Sequence, residues 1–359
     1  MVMNTSWPQT IRLILFSALL GGAAGILTTA LTTNYLADYA LELGQLTEPL
    51  RLSEQRPIAF PSSYEEALGR IEQEALPAVV SLTAESATPE SLFGTEDQVA
   101  VTITSDGWMM ALGNEGYTDV FTRSEFCNVT DRVVDAMTGV YFYHCETQSL
   151  PVVGFGSGFA VEQGEQLFIV GSQGSVVRGQ ASLVEWSQDV PASSDIPSRR
   201  VILSTNSGAE IGDLVFDLSG KLVGIIEDER ADGQLAMLPL EAILPALNRL
   251  LESGEITRPA LNAQVIHLST AIVSDELSRG RTHGALLYGS RAAVFGGVVS
   301  GAGLESGDII LSVDYQTITA TTTLDELLLA YQAGDEVTLV FDRLGDEMEV
   351  DVTLGEWGN

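Results

Sequence analysis

Between Ala78 and Ile226 the sequence is a succession of short apolar runs, AVVSLTA, QVAVTIT, GVYFYHCE, QLFIVG, RRVILST and KLVGII, bounded by Gly, Ser, Asp or Asn. Runs of this length, rich in β-branched and aromatic residues and closed by turn formers, are the pattern of strands. Spaced so regularly, they predict an all-β barrel or sandwich. Helical spacing flanks them. In Tyr64–Ala75, YEEALGRIEQEA, the residues Leu68, Ile71 and Ala75 share a face. In Leu238–Leu251, LPLEAILPALNRLL, a helix-like spacing is broken by Pro245, and Gly254 closes the domain. From Ile256 the strand pattern restarts with QVIHLSTAIV, GALLYGS and DIILSVDY, then a helix over Thr323–Gln332, then EVTLVFDR and MEVDVTLGE. A chain of 359 residues with such a restart holds two folded units.

The formal charge of -32 excludes nucleic acid as a partner, because binding a polyanion needs a cationic face that displaces counterions. Of the 17 basic residues only Lys221 is a lysine. An acid excess of this size is a solvated surface that favours solubility, a salty milieu or basic partners.

Leu13–Leu36, LILFSALLGGAAGILTTALTTNYL, has no charged residue. As a helix rising about 1.5 Å per residue it covers a bilayer core of roughly 30 Å. Arg12 before it, and Asp38 and Glu42 after it, favour a cytoplasmic N-terminus and an extracytoplasmic bulk, periplasmic or extracellular. A cleaved signal peptide is the alternative, although its apolar region is usually shorter. The only cysteines, Cys127 and Cys145, suit either a disulfide in an oxidising compartment or two buried thiols. With His144 alone beside them they make no zinc site, and no cofactor or metal is expected.

Residues Gly296–Val313, GGVVSGAGLESGDIILSV, resemble the PDZ segment in which a glycine turn and an A-G-L step precede G-D-x-I-L-x-V. The helix TLDELLLAYQ, the turn Ala333–Glu336, the strand VTLVFDR and the closing VTLGE follow in PDZ order. The resemblance implies binding of protein or peptide C-termini by strand addition, with backbone amides capturing the terminal carboxylate. It places the carboxylate loop at Ala260, Leu261, Asn262 and Ala263, before a strand that includes Val265, with Leu324, Leu327 and Leu328 opposite. Asn262 stands where glycine is common.

The middle of the chain resembles the HtrA (DegP-like) trypsin-fold proteases in segment order: ALPAVVSLTA, SDGWMMAL, LPVVGFG, QLFIVGSQG and FDLSGKLVGII. That family needs a serine nucleophile, a histidine base, an aspartate to orient it and an oxyanion hole. The position after SDGWMMAL expected to hold histidine is Asn114, and that of the aspartate is Gly139, with Asp135 slightly upstream. The nucleophile motif G-N-S-G-G is replaced by Ala209-Glu210-Ile211-Gly212-Asp213, so Ile211 stands for the serine. Asparagine takes no proton from serine at neutral pH, and isoleucine is no nucleophile. The rival is Asn206-Ser207-Gly208, with Ser207 as nucleophile and His144 as base.

These readings predict a mostly β chain. Residues 1–12 form a cytoplasmic stub, 13–36 a transmembrane helix, 37–75 a linker and short helix, 76–254 a trypsin-like double β-barrel and 255–359 a PDZ domain. The expected function is a catalytically inactive, membrane-anchored scaffold or adaptor in extracytoplasmic protein quality control. The family resemblance implies that a homotrimer forms through the segment before the barrel. The alternatives are an active membrane-bound serine endopeptidase using Ser207, and a structural subunit of a larger membrane complex.

Overall fold

Strands β1 (Val79–Thr83), β2 (Gln98–Thr102), β3 (Trp108–Leu112), β4 (Asp119–Phe121), β5 (Phe126–Asn128), β6 (Asp131–Val134) and β7 (Val140–His144) form one antiparallel sheet, ordered β5-β4-β1-β2-β3-β7-β6. The computed structural model describes residues 64–83, 98–113, 115–121, 126–146, 150–186, 190–205, 208–289 and 297–358. The stub, the membrane segment expected at 13–36 and the linker up to residue 63 lie outside the described residues. No helix among the described residues is long and apolar enough to cross a membrane.

Strand order sets β5 at one edge of this sheet and β7 next to the other. Yet Cys127 of β5 and Cys145, just past β7, are joined in a disulfide with Cα atoms 6.1 Å apart. The sheet is therefore rolled until its edges meet, around a core that includes Val80, Leu82, Ala100, Met109, Ala111 and Tyr143.

The next strands are β8 (Gln166–Val170), β9 (Val176–Glu185), β10 (Ala192–Ser193), β11 (Arg200–Thr205), β12 (Leu214–Phe216), β13 (Leu222–Glu229) and β14 (Leu235–Pro239). All but β10 close a six-stranded barrel, β11-β14-β13-β12-β8-β9, in which β9 pairs again with β11. Alternate side chains on a strand point to opposite faces, so a strand buried on both faces reads as a continuous apolar run. In β8, Leu167 and Ile169 join the barrel interior with Val201, Leu203 and Met237. Phe168 and Val170 instead join the cluster shared with the first sheet, alongside Val101, Met110 and Phe142. That second, shared core is why QLFIV shows no polar alternation.

The first helix among the described residues runs Tyr64–Arg70 and continues as a π-helical turn, Ile71–Ala75, with Ala67, Ile71 and Ala75 buried against the shared core. The closing helix expected from Leu238 starts later, since Leu238 and Pro239 end β14; it runs through Pro245 over Leu240–Ser253 and ends at Gly254, whose φ is 79°. Proline in a helix interior costs about 3 kcal/mol, whereas burying Leu240, Ile243, Leu244, Leu247 and Leu250 contributes roughly 1.5–3 kcal/mol each. Burial wins.

The last module holds β15 (Pro259–Ala260), β16 (Gln264–His267), β17 (Ala285–Leu287), β18 (Ile309–Val313), β19 (Gln316–Thr317), β20 (Glu336–Arg343), β21 (Asp346–Thr353) and β22 (Gly355–Glu356). Its sheet is ordered β10-β16-β17-β18-β20-β21, with β19 on β18 and a separate β15–β22 pair. The helix expected over Thr323–Gln332 is shorter, Leu324–Leu328. Beyond it the amides of Leu329, Ala330 and Tyr331 bond three residues back, so the chain tightens rather than extending the helix. The member not foreseen is β10, which leaves the middle domain to pair with β16.

Candidate functional sites

The protease resemblance puts its reactive groups at Asn114, Gly139 and Ile211, with Ser207 as the rival nucleophile. Asn114, two residues past β3, and Ser207, two past β11, lie outside the described residues. Gly139 ends the Asp135–Gly139 turn between β6 and β7 with a φ of 73°, its amide donating to the Asp135 carbonyl at 2.8 Å. Asp135 is 1% exposed and accepts from Thr138 Oγ1 at 2.6 Å. Arg258 Nε and Nη2 also donate to its two carboxylate oxygens, and the same guanidinium reaches the Ala242 carbonyl at 2.8 Å. The one carboxylate in this turn is held by an arginine.

Ile211 is 48% exposed in the turn before β12. The Gly212 amide donates to the Ile226 carbonyl at 2.7 Å, and the Glu210 amide donates to Asp213 Oδ2 at 2.8 Å. Burial pushes the Asp213 carboxyl up to about 6. His144 sits at the end of β7, its ring centroid 4.9 Å from that of Trp108 and its Nδ1 3.1 Å from Thr130 Oγ1. The chain has three histidines. His267 and His283 belong to the last module. His267 is buried, which pushes its imidazole pKa down, and its Nε2 lies 3.5 Å from Asp325 Oδ1.

The second site is the groove beside β16. Asn262 has a φ of 56°, the left-handed conformation that glycine takes freely and asparagine tolerates. This turn aims successive amides at one place. Leu261 N donates to Asp195 Oδ1 at 2.8 Å, Asn262 N to Asp195 Oδ2 at 3.0 Å and Ala263 N to Ser194 Oγ at 3.1 Å. The acceptors come from the loop between β9 and β11. That loop runs antiparallel to β16, with Ala192 opposite Val265 and Ser193 opposite Gln264, and Ser194 N donates to the Ala263 carbonyl at 3.0 Å.

Across the groove stands the helix Leu324–Leu328. Leu324, Leu327 and Leu328 are buried in the module's core with Leu261, Ala263 and Val265. The loop meets Asp325 and Glu326 instead. Ser198 donates from N and Oγ to Asp325 Oδ2 at 2.7 and 2.8 Å. Arg199 Nε donates to Glu326 Oε1 at 2.8 Å, as does Trp186 Nε1 at 2.9 Å. Arg199 also reaches the carbonyls of Phe159 and Thr321, and it lies over the Phe159 and Trp186 rings at 4.5 and 5.0 Å. Burial pushes Glu326 up to about 7 against the pull of Arg199.

A family model described as PDZ domain matches residues 296–354. A DegP-like periplasmic serine endoprotease of Halomonas elongata is 25% identical over 232 residues, covering 62% of this chain and 48% of that protein. The serine protease Do-like HtrA of Lactobacillus helveticus is 27% identical over 217 residues, covering 56% of this chain and 52% of its own. The chain spans about half the length of the curated relatives it matches. The chain is similar to HtrA-like serine proteases and carries a match to the PDZ domain.

The fold agrees. The HtrA-type protease AlgW with decapeptide superposes with a TM-score of 0.58 at 18% identity, covering 81% of this chain and 99% of that one. Its tripeptide complex gives 0.56 at 18% identity, covering 81% and 97%. The turn expected to capture a carboxylate does aim amides at one, Asp195, but sequence reasoning missed Asp195, Ser198, Arg199, Asp325 and Glu326 as its surroundings. The only local signal was the pair Pro191 and Pro197 around a run of small polar residues, which favours an extended loop.

Proposed function

We propose that this HtrA-like protein does not hydrolyse peptides and acts as a scaffold or adaptor that binds protein tails through its PDZ groove. The observation that carries the reading is the turn before β12. An isoleucine, half exposed, is the residue that the protease resemblance sets against the nucleophile, and a buried carboxyl, Asp213, braces the turn. The Asp135–Arg258 pair supports it, since a carboxylate held by a buried guanidinium does not orient a base. The Asn262 turn supports tail binding, because its converging amides fit a carboxylate. Placement of the bulk outside the cytoplasm, anchored by residues 13–36, is part of the same proposal. The Cys127–Cys145 bridge and the periplasmic naming of relatives support it.

The names of the relatives favour the second reading, an atypical endopeptidase using Ser207. One experiment separates the two: incubation of the full chain with a fluorophosphonate probe and a casein-type substrate. The scaffold reading expects no labelling and no cleavage. Labelling that Ser207→Ala abolishes overturns it.

A further inference from the structure

We infer that the PDZ groove carries an internal ligand, residues 191–195, in which the Asp195 side chain takes the place of a C-terminal carboxylate, so that a partner tail binds only by displacing this loop. The inference rests on the tail-binding reading of the groove and adds what competes for it. The loop follows the main-chain rules by which a tail is captured through strand addition. It is extended, it runs antiparallel to β16, and Ser194 donates its amide to the Ala263 carbonyl as the last residue of an added strand does. One residue on, a carboxylate meets two consecutive backbone amides at 2.8 and 3.0 Å. Charge-assisted contacts of this kind are the strong ones.

The occupant is buried as a ligand is: Ala192, Ser194 and Asp195 are 6%, 0% and 6% exposed. Being tethered, it competes at a high effective concentration without needing high intrinsic affinity. Its side chains are small, Pro-Ala-Ser-Ser-Asp, so it satisfies the carboxylate amides and the β16 edge with little apolar anchoring. A tail with a large apolar terminal residue gains from burial what this loop lacks, which is the chemistry a displacing partner needs. Displacement also reaches beyond the groove. Ser198 and Arg199, on the same loop, hold Asp325 and Glu326, so a bound tail loosens the link between barrel and PDZ domain.

The test compares the full chain with Asp195→Ala, using a fluorescent pool of random decapeptides with free C-terminal carboxylates and the same pool amidated. Amide hydrogen exchange is followed at Leu261, Asn262 and Ala263. The expected result is faster exchange at these amides and capture of the carboxylate pool improved by about tenfold or more, with no capture of the amidated pool. Asp195→Asn, which keeps an acceptor but removes the charge, is expected to move both readouts in the same direction, by less. It covers the case in which the alanine variant does not fold. Equal capture by substituted and unsubstituted chains, or unchanged exchange at all three amides, overturns the internal ligand. Faster exchange with no capture by either chain supports the internal ligand and sinks the tail-binding reading instead.

Discussion

Arg258, which leads into the PDZ domain, pairs with Asp135 across 123 residues of sequence, and the two side chains are 3% and 1% exposed. The pair ties the first sheet to the linker at a point where neither charge meets water. Removing one partner leaves the other buried and uncompensated. Arg258→Ala or Asp135→Ala is expected to cost about 3–5 kcal/mol in urea unfolding, whereas the apolar double variant, Arg258→Met with Asp135→Leu, costs far less. A small loss in the single variants would show that water reaches the pair.

Reduction of the Cys127–Cys145 bridge reopens the seam between the two edges of the first sheet. With a sequence separation of 18, the loss is expected at about 3 kcal/mol, read as a lower urea midpoint in dithiothreitol and reproduced by the double serine variant.

Acidification from neutral pH is expected to stabilise the protein. Asp213 and Glu326 have folded pKa values raised by burial to about 6 and about 7. A raised carboxyl contributes stability that is fully present below its unfolded value, about 4, and is lost as pH rises through the folded value. His267, pushed down, opposes this below its ordinary value. Asp342, also pushed down, acts only below the ordinary carboxylate range. Unfolding free energy therefore falls between about pH 4 and pH 7, less steeply below about pH 6.5, where His267 opposes it. Asp213→Asn with Glu326→Gln flattens that slope, and an unchanged slope refutes the assignment.

Gly107 turns the chain between β2 and β3 with a φ of 114°, and a Cβ there would meet the Cys145 carbonyl oxygen at 1.9 Å. Gly107→Ala combines a left-handed alanine with a backbone collision. A loss of about 2 kcal/mol or more is expected, measured by thermal unfolding.

On the scaffold reading proposed above, a serine placed at position 211 is expected to confer no activity. Ile211→Ser supplies an oxygen at the turn before β12, but no histidine stands at position 114 to take its proton. Fluorophosphonate labelling of this single variant would reveal a base that the reading omits.

Much of the fold was legible in residues close together in sequence. Strands announce themselves through short apolar runs, and the PDZ order through a glycine turn and G-D-x-I-L-x-V, because backbone sterics and side-chain alternation act over a few positions. The loop at 260–263 was marked by the PDZ resemblance, and its left-handed residue is Asn262, with a φ of 56°, where glycine is common. What meets that loop was not legible. Asp195 lies 66 residues from Leu261, and Arg199 lies 127 from Glu326. No periodicity or spacing relates positions so far apart. The helix through Pro245 teaches the same point, since its continuity depends on burial against other segments.

The sequence alone therefore determined many of the longer apolar strands, the presence of a PDZ module and the residue types at the positions that the resemblance marks. Tertiary structure decided that Asp135 answers to Arg258 and that the amides of Leu261 and Asn262 meet the chain's own Asp195. Both are contacts between charged groups taken out of water, whose free energy depends on which partner lies within hydrogen-bond reach, and only the folded chain sets that distance.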